Sequence, residues 1–388
     1  MNQYNYPTVI YSGENAAHSL GEYLKKSNHQ KAMIVTDQQL VKLGIVKTLV
    51  EDLNFEDQDY VVYDGVHPNP IEDDVKNGVD FYQNNSCDYL IALGGGSPMD
   101  VAKVIKIMLN HPWPMEQYDD SLGGDDLITE VMPELYAIPT TAGTGSEVGR
   151  AGVIILKKSQ RKTIFFHPDL IPKIAILDPT YSMNLPRSIT VATGIDALVH
   201  CMEAFLSPGF HPMADGIALE GTQLVLQNLP KVFDDGHDLD ARNKMLMAAT
   251  MGATAFQKGL GMVHSLAHPL SSQFNLHHGL ANALMLIESL KFIDQRVMHG
   301  GSEERNKLQR LEDVIKSSLD QKTSSKSLPD ILSDFMNDLE VELGLSHHGI
   351  TENDLDKLSE EAFMDGCHQT NIIPIQQDDL RLVYRKAL

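Results

Sequence analysis

A chain of 388 residues exceeds what one core comfortably serves, and 42% hydrophobic against 22% charged residues is the balance of a folded protein, so two globular domains are expected rather than disorder. With 31 Lys and Arg against 53 Asp and Glu, the formal charge of −22 repels nucleic-acid phosphates and anionic membrane surfaces, which leaves small molecules as the expected partners. No stretch approaches the roughly 20 apolar residues of a membrane span, the start MNQYNYPTVIYSGEN lacks a secretion-signal layout, and Cys87, Cys201 and Cys367 stand too far apart for a disulfide framework; a cytoplasmic location follows as an expectation.

Between 31 and 180, short apolar runs alternate with helical patterns: KAMIVTD, YVVYDGV, DYLIALGGGS, LYAIPTTAG, GVIIL and KIAILDP. Several runs are continuous rather than alternating, as strands are when a parallel sheet is covered on both faces. This predicts an α/β domain over 1–185. Beyond Pro186 the texture changes to long helical segments at 187–206, 213–230, 241–258, 262–273 and 278–294, with no strand run, which predicts an all-helical domain over 186–388. The serine-rich stretch 317–328 reads as a solvated connection. His347 and His348 sit in a polar turn, and the methionines of 245–251 have the spacing of core residues.

Three constellations can carry chemistry. LGGGSPMD (93–100) follows an apolar run and precedes a helical one. Consecutive glycines let backbone N–H groups approach a phosphate, and the dipole of the following helix adds to the attraction. This is not the G-x-G-x-x-G fingerprint, and a plain strand-to-helix turn is its bland alternative. IPTTAGTGSEV (138–148) is a second strand end opening into small hydroxyl residues and glycines, which suits the other wall of a nucleotide site. In the helical half, Asp196 and His200 are four residues apart, His264 and His268 repeat that spacing, and His277 and His278 follow. Side chains at i and i+4 share a helix face and can share an ion; three nitrogens and one carboxylate oxygen suit a divalent transition metal. A lone buried histidine is ordinarily a core residue, but so many in an apolar half point to a site. Spacing does not choose between His277 and His278.

GGGSPMDVAK (94–103), IPTTAGTGSEV (138–148), ATGIDALVHCMEAF (192–205), GMVHSLAHPL (261–270) and HHGLANA (277–283), in this order and across nearly the whole chain, resemble the iron-containing, group III alcohol dehydrogenases. The resemblance implies an α/β dinucleotide-binding domain followed by a helical metal-binding domain. It also implies NAD as hydride carrier and a metal held by Asp196, His200, His264 and His278. His268 becomes the non-ligand histidine on the proton path. Asp37 is placed near the adenosine ribose, where a carboxylate favours NAD over NADP, and Asn69, Gly95, Gly96, Ser97, Thr140, Thr141, Thr144 and Lys162 fall around the dinucleotide. Asp100 and Lys103 match as well, with fixing the helix as their alternative role. The family name favours Fe²⁺, although by raw affinity Zn²⁺ competes at such a site.

Two departures concern the substrate. Where many members carry Thr-x-Asn, this chain has Gly149-Arg150-Ala151, and an arginine there suits an anionic primary alcohol such as 4-hydroxybutyrate, interconverted with its aldehyde. The alternative is that Arg150 pairs with a structural carboxylate. Asn371-Ile-Ile-Pro374 stands where Asn-Pro-Arg is common, so that arginine is missing. Rival readings are a glycerol- or polyol-dehydrogenase-type enzyme, a dehydroquinate-synthase-like lyase on the same architecture, and a non-catalytic metal-binding protein. By analogy with relatives a homodimer or larger homo-oligomer is expected.

Overall fold

The structure, a computed structural model, describes residues 6, 8–159, 161–298, 301–320 and 325–388. Residues 321–324 of the expected serine-rich connection lie outside the described ones. Two compact units emerge: one runs to Thr141 and includes Gly145–Asn184, and the other comprises Ala142–Thr144 and Leu185–Leu388.

The first unit is built on β1 (Val9–Ser12), β2 (Ala32–Val35), β3 (Tyr60–Tyr63), β4 (Tyr89–Gly94), β5 (Leu135–Pro139), β6 (Ala151–Ile155), β7 (Lys162–Phe166) and β8 (Ile174–Leu177). Six of these form one parallel sheet in the order β1-β8-β5-β4-β2-β3. Successive residues of a strand face opposite sides, and both sides are covered. Ile34, Ile91, Leu93, Tyr136 and Ile138 pack with Leu20 and Leu24 of α1 (Ala17–Lys25) and with Leu49 and Leu53, beyond α2 (Gln38–Lys42), in α3 (Ile45–Leu53). Met33, Val35, Leu90, Ala92 and Ala137 pack with Val75 and Val79 of α4 (Glu72–Asn84) and with Val101, Val104 and Ile105 of α5 (Gly96–Met108). Burial on both faces is why these strands read as unbroken apolar runs.

The chain leaves β2 for the edge strand β3 and then returns to β4 on the other side of β2. The carboxyl ends of β2 and β4, paired in register at Val35 and Ala92, therefore flank a topological switch point, where open α/β sheets bind their ligands. GVIIL departs from expectation. It forms β6, paired antiparallel with β7 in a separate two-stranded sheet, from Ala151 opposite Phe166 to Ile155 opposite Lys162. The six residues between these strands are too few for a parallel crossover, and burial alternates along β6, as a one-sided ribbon requires. Strand β1, outside the alternating region read from sequence, adds an exposed edge.

The second unit is helical throughout its described residues beyond Asn184: α6 (Arg187–Leu206), α7 (Pro212–Asp234), α8 (Leu239–Ala255), α9 (Met262–Phe274), α10 (His278–Val297), α11 (Ser302–Ser318), α12 (Leu328–Asp338), α13 (Leu355–Met364) and α14 (Gln377–Ala387), with short 3₁₀ turns. Every residue of α6 from Thr190 to Leu206 is buried, which makes it the central helix, wrapped by α7, α8 and α10. Contrary to the composition-based expectation, α6 is long and apolar enough to cross a membrane, but 94% of its apolar window is buried inside the protein, as in a core helix. Met245 lies in the same core.

Candidate metal centre and dinucleotide loops

Within the helical unit, α6 supplies Asp196 and His200, α9 supplies His264, and the first residue of α10 is His278. One ligand atom from each lies within 4.8 Å of all the others. His200 Nδ1, His264 Nε2 and His278 Nε2 stand 3.9, 4.0 and 3.5 Å from a single oxygen, Asp196 Oδ1. Ligands held at about 2.0–2.2 Å in a tetrahedron are themselves roughly 3.3–3.6 Å apart, so modest closure brings this set onto one ion. His277, the alternative left open by spacing, instead caps α10 by accepting the Gly279 N–H at Nδ1.

The electrostatics leave two imidazoles ready to ligate, while for His264 burial is outweighed by Glu203 and Asp196, which hold its ring above the ordinary value. Burial pulls the His200 imidazole down to about 4 despite Asp196, and His278 well below the usual range, so both rings are neutral at pH 7. Burial alone would raise the Asp196 carboxyl, but His200, His278, His264 and the Asn282 amide hold it below its ordinary value. Asn282 Nδ2 donates to Asp196 Oδ1 at 2.8 Å and stands 3.5 and 3.3 Å from His264 Nε2 and His278 Nε2. His200 Nδ1 is buried without a hydrogen-bond partner, an unusual expense for a polar atom unless something electrophilic occupies the space it faces. Three nitrogens, one of them with an orphaned lone pair, and one carboxylate oxygen fit a divalent transition ion.

His268, one turn beyond His264, stacks on His278 with ring centroids 5.1 Å apart. Its Nδ1 donates to Asp365 Oδ2 at 2.8 Å, while Asp365 Oδ1 accepts from Ser265 Oγ at 2.8 Å and from the Cys367 N–H at 2.9 Å. Burial opposes the charge on Asp365, yet His268 and these donors hold its carboxyl far below the usual carboxylate range. Asp365 thus fixes the tautomer of His268 and leaves Nε2 as the side that can accept a proton. His347 and His348 sit on a separate 3₁₀ turn, Leu345–His348, outside this group.

In the first unit the glycine loop opens directly into a helix N-terminus, the geometry that attracts anions. Gly94 ends β4 at φ +148, a conformation only glycine adopts readily, and Gly95 caps α5, so the amides of Gly96 and Ser97 open that helix. The Thr140 N–H donates to Gly94 O at 3.0 Å, and Thr141 lies against Gly95, which joins the two sequence motifs. Ser97 Oγ donates to Pro68 O at 2.7 Å, and the Ile155 N–H to Pro70 O at 2.8 Å, so Asn69 is anchored on both sides. Lys103 Nζ donates to Ser146 O, Ser146 Oγ and Ala151 O, and Asp100 accepts from Ser146 Oγ: these two tie α5 to the second loop. Burial lifts the Asp100 carboxyl to about 6 and lowers the Lys103 ammonium to about 8. Burial also lowers Lys162, at the start of β7, against the pull of Asp100. Asp37 caps α2 through Oδ1, accepting from Gln39 N–H at 2.8 Å and Leu40 N–H at 3.0 Å. Arg150 is half-buried immediately before β6, whereas Thr144 belongs to the helical unit.

The family model described as iron-containing alcohol dehydrogenase matches residues 7–179, and that of the C-terminal part of the Fe-containing alcohol dehydrogenase family matches 190–388. The chain belongs to the iron-containing alcohol dehydrogenase family. Among its relatives, 4-hydroxybutyrate dehydrogenase of Cupriavidus necator is 35% identical over 394 residues, covering 99% of each chain. A crystal structure of 1,3-propanediol oxidoreductase superimposes with a TM-score of 0.91 at 29% identity over 100% of both chains. Sulfoacetaldehyde reductase from Bifidobacterium kashiwanohense in complex with NAD⁺ gives 0.86 at 25% identity, covering 100% of this chain and 98% of that one. As a member of this family the protein is an oxidoreductase acting on alcohols. Reading the sequence alone missed Asn282 and Asp365 of this alcohol dehydrogenase, and Glu203, whose Oε2 stands 2.7 Å from His264 Nδ1. Glu203 and Asn282 carried a signal, a polar residue three after His200 and another four after His278, while Asp365 lies in FMDGC, where no spacing relates it to His268.

Proposed function

We propose that this alcohol dehydrogenase interconverts a primary alcohol bearing an anionic group, 4-hydroxybutyrate or a close ω-hydroxy acid, with its aldehyde, using NAD(H). The observation that carries this reading is the convergence of Asp196, His200, His264 and His278 in a chain of this family. These four residues would hold Fe²⁺, with Zn²⁺ the alternative. When bound, the ion would supply Lewis acidity toward the alcohol oxygen and the dinucleotide a hydride acceptor.

The chain's own residues do the rest. His268 Nε2 takes the alcohol proton while Asp365 holds Nδ1–H. The amides of Gly96 and Ser97 bind the pyrophosphate at the N-terminus of α5, with Gly95, Thr140, Thr141, Thr144, Asn69 and Lys162 about the dinucleotide. Asp37 accepts from the ribose hydroxyl and repels a 2′-phosphate. Arg150 would receive the acid group, and the substrate class is supported by the 35% identity to a 4-hydroxybutyrate dehydrogenase. The enzyme works in the cytoplasm as a homo-oligomer, for which the edge strand β1, with Val9, Ile10 and Tyr11 exposed, offers a pairing surface.

The test is an anaerobic screen of alcohols and hydroxy acids with NAD after reconstitution with Fe²⁺ or Zn²⁺. NADH formation with 4-hydroxybutyrate exceeding that with 1-butanol is expected. In Arg150→Ala that preference should fall roughly ten- to hundredfold, the worth of one charge-assisted hydrogen bond. An unchanged preference removes Arg150 from the substrate site, and absence of net NADH with every alcohol removes the reaction.

A further inference from the structure

Glu203 follows His200 by three residues and Asp196 by seven on α6, so the three leave the helix on one face. It is 5% exposed, and a carboxylate so buried requires partners. It finds them at the start of α9. Oε1 accepts the Val263 N–H at 2.7 Å, while Oε2 accepts His264 Nδ1–H at 2.7 Å and the His264 N–H at 3.4 Å. The amides at a helix N-terminus lack intrahelical acceptors, and the helix dipole there favours negative charge, so the carboxylate is stabilised where it sits. A Cβ on Gly261 would stand 2.6 Å from Glu203 Oε1 and 2.8 Å from Asn371 Oδ1, so glycine is what admits both acceptors to this helix end. Asn371 Oδ1 takes the neighbouring Met262 N–H at 3.1 Å.

A neutral imidazole carries one N–H. With Nδ1–H given to Glu203, the lone pair of His264 resides on Nε2, the nitrogen that looks toward Asp196. We propose that Glu203 is a positioning residue of the metal centre, locking the tautomer and ring orientation of His264 so that Nε2 is presented to the ion. This rests on the assignment of Asp196, His200, His264 and His278 as ligands. Helix capping by itself does not account for Glu203, since one of its two short bonds goes to an imidazole nitrogen and not to the helix end.

The full-length chain, stripped with a chelator, is titrated with Zn²⁺ in competition with a chromophoric chelator and with Co²⁺ by absorption. Glu203→Gln should bind Zn²⁺ about 10- to 100-fold more weakly and shift the Co²⁺ spectrum. Asn371→Ala removes an acceptor from the same helix end without touching His264; it should lower the Tm and leave Zn²⁺ affinity at the wild-type value. Wild-type affinity and spectrum in Glu203→Gln overturn the proposal, as does an equal loss of affinity in Asn371→Ala. His264→Ala separates the two levels. If it retains wild-type Zn²⁺ affinity the ligand assignment fails, whereas lost affinity there beside wild-type affinity in Glu203→Gln overturns the role of Glu203 alone. Should Glu203→Gln not fold, ¹⁵N spectra of histidine-labelled wild type, assigned by difference from His264→Ala, decide: Nδ1–H at alkaline pH is expected, and an Nε2–H tautomer overturns the proposal.

Discussion

The two units prepare for ligands by opposite means. In the sheet unit the candidate dinucleotide loops offer mainly backbone: amides at the start of α5, a glycine at positive φ, and side chains such as Ser97, Asp100 and Lys103 spent on holding the loop. In the helical unit the backbone is consumed by helix hydrogen bonds, so the candidate metal centre consists of buried side chains whose protonation is set by burial and by one another. Backbone sites depend on conformation and tolerate changes of side-chain chemistry. Side-chain sites depend on each named atom.

That contrast predicts separable failures. The largest effect belongs to Asp196→Asn, which should lose bound metal and turnover by several orders of magnitude, to the level of the chelator-stripped enzyme, while NAD affinity measured by nucleotide fluorescence stays within a factor of a few; joint loss of both would show that the units do not act separately. Gly94→Ala should do the reverse. Forcing an alanine to φ +148, with its Cβ 2.6 Å from the Pro98 ring, costs about 1–3 kcal/mol, so NAD affinity and Tm fall with metal content unchanged. Asp37→Ser keeps an acceptor for the cap of α2 and removes the charge; the ratio of kcat/KM for NAD over NADP should drop roughly tenfold or more. The smallest effect concerns acid stability of the sheet unit. Burial tends to raise the Glu134 carboxyl, but hydrogen bonds from Lys173, Tyr136 and His29 hold it at about 2 against an ordinary 4.5. A carboxyl depressed in the folded state stabilises above its unfolded value and loses that contribution as pH falls toward about 2. Urea unfolding should therefore find Glu134→Gln less stable at pH 7, with the gap narrowing at pH 3.

What the sequence disclosed follows the same division. The helices around the candidate metal centre were legible because 3.6-residue periodicity and i, i+4 pairs report on a single element. The switch-point loops were legible because continuous apolar runs end in glycine. The β6–β7 ribbon was not, since GVIIL reads the same in a parallel sheet until the six-residue link to its partner is weighed. The supports of the histidines were also hidden: Asp365 reaches His268 across 97 residues, and Glu203 reaches His264 across 61, distances over which no periodicity carries information.

Helix α6 brings a last consequence. By length and composition it resembles segments that enter lipid. Asp196, His200 and Glu203 occupy its middle and second half, and an aspartate near the centre of such a segment disfavours insertion by about 2.5–3.5 kcal/mol. Before α7 and α8 cover it, these groups raise the cost of moving the segment into a bilayer. Asp196→Leu combined with Glu203→Leu should raise the insertion of this helix in a translocation assay.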